Sequence, residues 1–110
     1  MSEQAVLCSV DNGVATITLN RPTVLNALNA DLMDQMKEAV QRVADDASIR
    51  AVVITGAGRG FSAGADLSSS SAGGTSTAGE TLRKRYHPVI ENLRGMPKPV
   101  ITAVNGVAAG

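Results

Sequence analysis

The amino-acid sequence predicts an α/β fold in which a β-hairpin is followed by strand–helix–strand units. Three observations predict it: two strand-like runs flank an Asn-Gly turn, a helical repeat of apolar residues follows, and a short apolar run comes next. A helix between two strands is the usual connection in a parallel sheet. With 110 residues, 44% apolar and 18% charged, the chain has the length and composition of one domain with a core.

The first predicted element is an antiparallel hairpin. Val6 to Val10 and Val14 to Leu19 are rich in β-branched and apolar residues, and Asp11-Asn12-Gly13 joins them. Asn and Gly tolerate the positive φ values that a tight hairpin turn requires. The two strands are therefore expected to pair directly.

A helix is predicted from Asn29 to about Ala44. Asn29 is of a type that caps helix N-termini, and the acidic Asp31 and Asp34 are favourable in the first turn. The apolar residues share one face, while polar residues occupy the other. This face comprises Leu32, Met36, Val40 and Val43, with Met33 and Ala44 at its margin.

The run from Ala51 to Thr55 is predicted to be a strand covered on both faces. Its residues are Ala51-Val52-Val53-Ile54-Thr55, and continuous apolar runs of this length are typical of strands within a parallel sheet. Together with the preceding strand and helix, it completes a βαβ unit.

The second half of the chain is predicted to contain a loop, a helix and a strand. Ser68 to Gly79 consists of Ser, Thr, Ala and Gly, which is typical of a flexible loop. Pro88 should kink the following helix or mark a restart, and Gly95-Met96-Pro97 should end it. Pro99 to Val104 is expected to form a third, buried strand. The helix is predicted from the spacing of Leu82, Tyr86, Val89, Ile90 and Leu93.

Charge and composition argue against several classes of function. Ten basic and ten acidic residues give a net charge of zero, so no field that selects nucleic acid or an anionic membrane is expected. No apolar run approaches the roughly 20 residues of a membrane span, and Met1 to Gln4 does not begin a signal peptide. The single cysteine, Cys8, excludes an intrachain disulfide. No metal is expected, and the cytoplasm is the expected compartment.

The glycine-rich segment from Thr55 to Gly60 invites comparison with nucleotide-binding loops. In the dinucleotide fingerprint the third glycine would fall at position 61, which is Phe61, and no amphipathic helix opens after it. A P-loop would require a Gly-Lys-Ser/Thr sequence that does not follow. These spacings argue against nucleotide binding.

The sequence Gly60-Phe61-Ser62-Ala63-Gly64 matches the G-x-S-x-G nucleophile elbow of serine hydrolases. The context argues against that role, because the preceding strand ends about five residues early for the elbow geometry. The only histidine, His87, falls in a helix among basic residues and is expected on its solvated face. A serine hydrolase using Ser62 nevertheless stays as an alternative hypothesis.

A longer constellation of motifs is more specific than any of these. The motifs are Asn20-Arg21-Pro22, Leu25-Asn26-Ala27-Leu28, Thr55-Gly56, Phe61-Ser62-Ala63-Gly64-Ala65-Asp66-Leu67, Lys98-Pro99-Val100 and Asn105-Gly106-Val107-Ala108-Ala109-Gly110. In order and spacing they resemble the crotonase (enoyl-CoA hydratase/isomerase) superfamily over nearly the whole chain. The resemblance implies a crotonase-like ββα spiral core, of which this chain would be the N-terminal half.

The resemblance implies an acyl-CoA hydratase or isomerase that stabilises a thioester enolate with two backbone N–H groups. By motif position, Ala65 supplies the first N–H, and Gly110 closes the oxyanion turn whose donor is the residue after it. Asp66 and Arg21 are expected to shape loops. No cofactor is expected, since coenzyme A enters as part of the substrate. The positions that match CoA contacts in the family are Val24, Leu25, Ala63, Gly64, Ala65, Asp66 and Leu67.

In the family, the acid/base carboxylates lie beyond the position of Gly110. The chain is therefore expected to be a truncated part of a single domain, residues 1–110, and inactive alone. Its expected partners are an acyl-CoA, the remainder of the same fold, and further copies in a homotrimer or hexamer. Val107 to Gly110 also resembles isomerases of ring-1,2-epoxyphenylacetyl-CoA in phenylacetate breakdown. A noncatalytic assembly module with the crotonase fold is a further hypothesis.

Overall fold

The computed structural model describes residues 4–64 and 77–109. A four-stranded sheet has the order β1-β2-β3-β5, and β4 pairs with β6 in a second sheet. This arrangement confirms the predicted α/β class. The elements in chain order are β1 (Val6–Asp11), β2 (Val14–Leu19), a short 3-10 helix (Pro22–Val24), α1 (Ala30–Asp45), β3 (Ala51–Gly56), β4 (Gly60–Ser62), α2 (Thr77–Gly95), β5 (Val100–Thr102) and β6 (Val107–Ala108).

The predicted hairpin is confirmed. β1 and β2 are antiparallel, with Val6 opposite Leu19 and Asp11 opposite Val14. Asn12 and Gly13 form the turn with φ values of 51° and 78°. Two successive positive φ values give the turn a twist that matches that of the paired strands.

Helix α1 begins where the sequence predicts it. The side chain of Asn29 accepts a hydrogen bond from the backbone N–H of Leu32 at 2.8 Å, which satisfies one of the free donors of the first turn. β2 and β3 flank this helix and pair in parallel, so the predicted βαβ unit is confirmed.

The main core lies between α1 and one face of the larger sheet. Burial of each large apolar side chain here contributes about 1.5–3 kcal/mol. The prediction that β3 is covered on both faces is wrong for the described residues: α1 covers Val52 and Ile54, whereas Val53 on the opposite face is only half-buried. The largest fully buried apolar side chains are Ile17, Leu32, Val40, Val43 and Val52.

Helix α2 packs against α1 and is continuous from Thr77 to Gly95. It passes through Pro88, so the expected restart there is wrong. The proline removes one helical N–H, and the packing of Val89 and Leu93 against the core holds the helix together. Of the loop predicted from Ser68 to Gly79, the last three residues belong to α2, so that part of the prediction is wrong. Residues 68–76 lie outside the described part.

The last predicted strand is shorter and less buried than expected. β5 pairs in parallel with β3, but its other edge has no partner strand among the described residues. Ile101 in β5 and Val104 shortly after it are each 56% exposed, so the prediction of a buried strand is wrong here. Within residues 4–64 and 77–109, no helix is long and apolar enough to cross a membrane.

Two sets of contacts fix the C-terminal end of α1. Lys98 Nζ donates to the backbone carbonyls of Val43 and Asp46, both at 2.6 Å. Ser48 donates to the Asp46 carboxylate through its Oγ at 2.6 Å and its N–H at 2.9 Å, which lowers the pKa of that carboxyl. This contribution to stability is therefore present at neutral pH and is lost as the pH falls through the lowered pKa.

We expect Lys98→Met to destabilise the full-length protein by about 1 kcal/mol, because it leaves carbonyls at a helix C-terminus without their charged donor. Urea denaturation followed by circular dichroism measures the change. Lys37→Met, on the exposed side of α1, is the matched control and should change the unfolding midpoint little. Equal midpoints for the two variants would contradict a capping role for Lys98.

Candidate functional site

The residues predicted from the resemblance fall into two groups. Val24 ends the 3-10 helix and is 44% exposed, and Leu25 follows it with a left-handed backbone of φ 52°. Ala63 and Gly64 come directly after β4. The described residues do not include Ala65, Asp66, Leu67 or Gly110, so their assignments stay predictions.

The structure brings the two described groups into contact. The N–H of Ala63 donates to the carbonyl of Leu25 at 2.9 Å, and the N–H of Leu28 donates to the carbonyl of Gly64 at 2.7 Å. Gly64 is buried and has a φ of 92°, a conformation that residues with a Cβ rarely adopt. The segment of residues 60–64 is thus aligned along the segment of residues 25–28.

The backbone of residues 25–26 is strained. Leu25 and Asn26 both have positive φ, 52° and 56°, and a leucine in that region costs on the order of 1–3 kcal/mol. The Leu25 side chain packs over Gly60, whose position leaves little room: a Cβ there would lie 3.2 Å from Leu25 Cδ2. Such conformations persist only where the surrounding structure holds them. Here the contacts of Asn26 hold the backbone in place.

Asn26 organises this region, and the sequence interpretation missed its role. It is completely buried, and its Oδ1 accepts a hydrogen bond from the N–H of Arg21 at 2.7 Å. Its Nδ2 donates to the carbonyls of Ala57 at 3.0 Å and Gly60 at 2.9 Å. Arg21 also donates through its guanidinium to the carbonyl of Ala27, in keeping with its expected loop-shaping role.

A second asparagine, Asn105, reaches the same region from the connection between β5 and β6. Its Nδ2 donates to the carbonyl of Gly58 at 3.0 Å and to that of Gly60 at 3.3 Å. Its Oδ1 accepts from the N–H of Gly56 at 3.2 Å. The Gly60 carbonyl therefore accepts hydrogen bonds from two asparagine side chains that are 79 positions apart in numbering, 105 − 26.

Strands β4 and β6 were also missed, since each is too short to carry a sequence signal. They pair in parallel, and the N–H of Ala109 donates to the carbonyl of Ser62 at 3.0 Å. This pairing places the end of the described chain beside residues 60–64. The two segments that the resemblance associates with an oxyanion hole thus follow β4 and β6, the paired strands of one small sheet.

Ser62 has the contacts of a structural residue. It is buried, with 6% of its surface exposed, and its Oγ donates to the carbonyl of Asn26 at 3.0 Å. The same Oγ accepts from the N–H of Gly64 at 3.1 Å. His87 instead lies on an exposed face of α2, 2.6 Å from Glu91. The described residues therefore do not assemble a catalytic triad around Ser62.

An apolar cavity of about 550 Å³ lies between α1, α2 and the two sheets. Its wall is almost entirely hydrocarbon and carries no charged side chain among the described residues. It extends to the backbone of β4 and β6, next to Ser62. Side chains that define its wall include Leu28, Met33, Phe61, Tyr86, Leu93 and Ala109.

The described part of the chain contains no group of three or more His, Cys, Asp or Glu residues placed to hold a metal ion. The described site offers a backbone held by hydrogen bonds, the buried amide of Asn26 and an apolar cavity. Such a combination suits a ligand with a carbonyl group and an apolar chain.

Known structures contain the same arrangement of strands and helices. The crystal structure of an enoyl-CoA hydratase from Mycobacterium smegmatis superposes with a TM-score of 0.86 at 38% sequence identity, covering 93% of this chain and 40% of that one. The fold is therefore that of the crotonases, which confirms the predicted spiral core.

The sequence profile of the enoyl-CoA hydratase/isomerase family matches residues 9–110. This chain belongs to that family. It is 45% identical over 108 residues to the 1,2-epoxyphenylacetyl-CoA isomerase of Escherichia coli K12, covering 96% of this chain and 41% of that protein. A probable enoyl-CoA hydratase of Rhodobacter capsulatus is 41% identical over 110 residues, with coverages of 100% and 42%. The chain spans about two fifths of the length of these relatives.

Proposed function

We propose that the protein carrying this chain is an acyl-CoA hydratase or isomerase that stabilises a thioester enolate with backbone N–H groups. The N–H of Ala65 is the first donor, and the second belongs to the oxyanion turn at Gly110. Backbone donors suit this task because the fold holds them in place and they need no ionisation; one such donor contributes about 3–4 kcal/mol to transition-state stabilisation.

The observation that carries the proposal is the junction between residues 25–28 and 60–64 beside the apolar cavity. Hydrogen bonds hold Ala63 and Gly64 immediately before Ala65, and the preceding Phe61 and Ser62 line a cavity of about 550 Å³. A thioester carbonyl bound beside residues 60–64 would place its acyl chain inside the cavity. Membership of the enoyl-CoA hydratase/isomerase family supports the same chemistry.

We assign the coenzyme A moiety to the surface formed by the two loops. Val24 is exposed at the end of the 3-10 helix, and Ala63 is exposed after β4, so their backbones are accessible to a ligand. Leu25 and Gly64 join the two loops, because the Leu25 carbonyl accepts from Ala63 and the Gly64 carbonyl accepts from Leu28. In this proposal Asp66 and Leu67 complete the surface, and CoA enters only as part of the substrate.

Isomerisation is a specific second candidate. The Escherichia coli relative with 45% identity is a 1,2-epoxyphenylacetyl-CoA isomerase, which supports ring-epoxide or double-bond isomerisation as an alternative to hydration. A phenylacetate rather than a fatty-acid pathway would follow. The choice depends on acid/base groups that the described residues do not contribute.

We further propose a cytoplasmic protein that assembles as a trimer or hexamer. Membership of the enoyl-CoA hydratase/isomerase family supports this proposal. Size-exclusion chromatography with light scattering on the full-length protein measures the number of copies.

The full-length protein is expected to act on an α,β-unsaturated acyl-CoA while leaving the thioester intact. Absorbance at the conjugated-thioester band reports hydration, and chromatography with mass spectrometry reports isomers of unchanged mass. A product heavier by one water indicates a hydratase, and an unchanged mass indicates an isomerase. Release of free CoA as the main product would contradict both.

Ser62→Ala separates this mechanism from a serine hydrolase. Because the Ser62 hydroxyl bonds only to backbone groups among its described contacts, its removal should leave turnover within about tenfold. A fluorophosphonate probe should not label the protein at Ser62. A loss of about 10⁴-fold or more, with stoichiometric labelling that Ser62→Ala abolishes, would instead establish a nucleophile.

A further inference from the structure

The side chain of Asn26 makes three hydrogen bonds to the backbone around the site and uses both of its donors. It is completely buried, with an acceptor facing the N–H of Arg21 and both donor contacts directed at carbonyls of residues 57 and 60. Its own N–H donates to the carbonyl of Arg21 at 2.8 Å, and its carbonyl accepts from Ser62. Only an amide offers both an acceptor and two donors in this volume.

Residues 25–28 act as a template for residues 60–64. Four hydrogen bonds join the two segments in register: Asn26 Nδ2 to Gly60 O, Ser62 Oγ to Asn26 O, Ala63 N to Leu25 O, and Leu28 N to Gly64 O. Their distances lie between 2.7 and 3.0 Å. The template therefore bonds to Gly60 and to each residue from Ser62 to Gly64, the residue that precedes Ala65.

Asn105 holds the same segment from another part of the chain. It belongs to the connection that leads into β6, and its amide donates to the Gly60 carbonyl at 3.3 Å. Asn105 also ties the end of β3 to this connection through the N–H of Gly56. The Gly60 carbonyl is thus the point at which the template and the β5–β6 connection meet.

We propose that Asn26 and Asn105 are positioning residues for the oxyanion site, acting through the Gly60 carbonyl and without touching the substrate. The proposal rests on the proposed function above. The two amides set the position of the backbone that leads to the N–H of Ala65 relative to the strand that leads to Gly110. Because a displacement of about 1 Å in a catalytic group can cost on the order of 100-fold in rate, loss of either amide lowers kcat.

The test uses the full-length protein with Asn105→Ala, Asn26→Ala and the double variant. The measurements are kcat and KM for an unsaturated acyl-CoA, the affinity for CoA alone, and the infrared stretch of an isotope-labelled thioester carbonyl in the bound state. Hydrogen bonds from an oxyanion hole lower that stretching frequency. Asn29→Ala is the matched control, since Asn29 caps α1 and makes no described contact with residues 60–64.

We expect Asn105→Ala to lower kcat about tenfold and Asn26→Ala about 100-fold, with KM and CoA affinity within about threefold of wild type. The carbonyl stretch should move toward its value in solution in both variants. The double variant should lose less than the product of the single losses, because both amides act on one carbonyl. Asn29→Ala should lower the melting temperature and leave kcat and the carbonyl stretch unchanged.

Two results would overturn the positioning role: an unchanged kcat in Asn105→Ala, or a reduced kcat with an unchanged carbonyl stretch. If the buried Asn26→Ala variant does not fold, Asn105→Ala decides the question, because Asn105 is exposed. A wild-type protein that binds acyl-CoA without any carbonyl shift or turnover would refute the proposed function itself, and the positioning role with it.

Discussion

Replacing Ala65 with proline is expected to lower kcat on an unsaturated acyl-CoA by about 10²–10³-fold. Proline has no N–H, so the substitution removes the first proposed donor to the enolate oxygen. Binding of the CoA moiety draws on other contacts, and the affinity for CoA should change much less than kcat. Steady-state kinetics on the full-length protein and calorimetry with CoA measure the two quantities.

Ala65→Gly is the matched control because it changes the side chain and keeps the N–H. It should retain most of the activity, and the melting temperatures of both variants show whether the proline change also unfolds the loop. Small and equal losses in Ala65→Pro and Ser62→Ala would contradict the oxyanion role and favour a noncatalytic module. A large loss in Ala65→Pro alone would support the assignment of Ala65.

Gly106→Ala is expected to cause the largest loss of stability, about 3 kcal/mol or more. A Cβ at Gly106 would lie 2.0 Å from the carbonyl oxygen of Arg59 and 3.1 Å from Cα of Gly60. Overpacking typically costs about 1–3 kcal/mol, and here the obstacle is a backbone atom, which cannot rotate away. Chemical denaturation of the full-length protein gives the change in unfolding free energy.

Gly95→Ala is the control for this substitution. Gly95 ends α2, and a Cβ there would meet nothing within 4 Å among the described residues. Alanine should leave stability unchanged or raise it by up to about 1 kcal/mol, since glycine is a weak helix former. If Gly106→Ala unfolded at the same denaturant concentration as Gly95→Ala, the close approach of Gly106 to Arg59 would be refuted.

The contrast between Asn29 and Asn26 shows which roles can be read from a sequence. Asn29 caps α1 by accepting from a residue three positions away, and this local interaction has a recognisable pattern. The Asn26 side chain donates to residues 31 and 34 positions away, and no local sequence pattern predicts such partners. The role of Asn26 was therefore not predicted, although it is the same residue type as Asn29 three positions later.

The errors in the predicted elements have a related cause. Propensity correctly placed the strand at Val100 to Thr102, but its exposure depends on what packs against the faces of the sheet. Of the kink or restart expected at Pro88, the restart does not occur, because packing against the core outweighs one missing hydrogen bond. β4 and β6 hold only three and two residues and are defined by pairing with each other.

By itself, the sequence determined the family, the hairpin, the first helix and the order of the main strands. These features follow from motif order and from interactions between residues close in the chain, such as the turn at Asn12 and Gly13. The tertiary structure alone decided that Asn26 and Asn105 both donate to the Gly60 carbonyl, and that the Ser62 hydroxyl bonds to backbone groups. Those contacts join segments far apart in sequence, so only the folded chain brings their donors and acceptors within hydrogen-bonding distance.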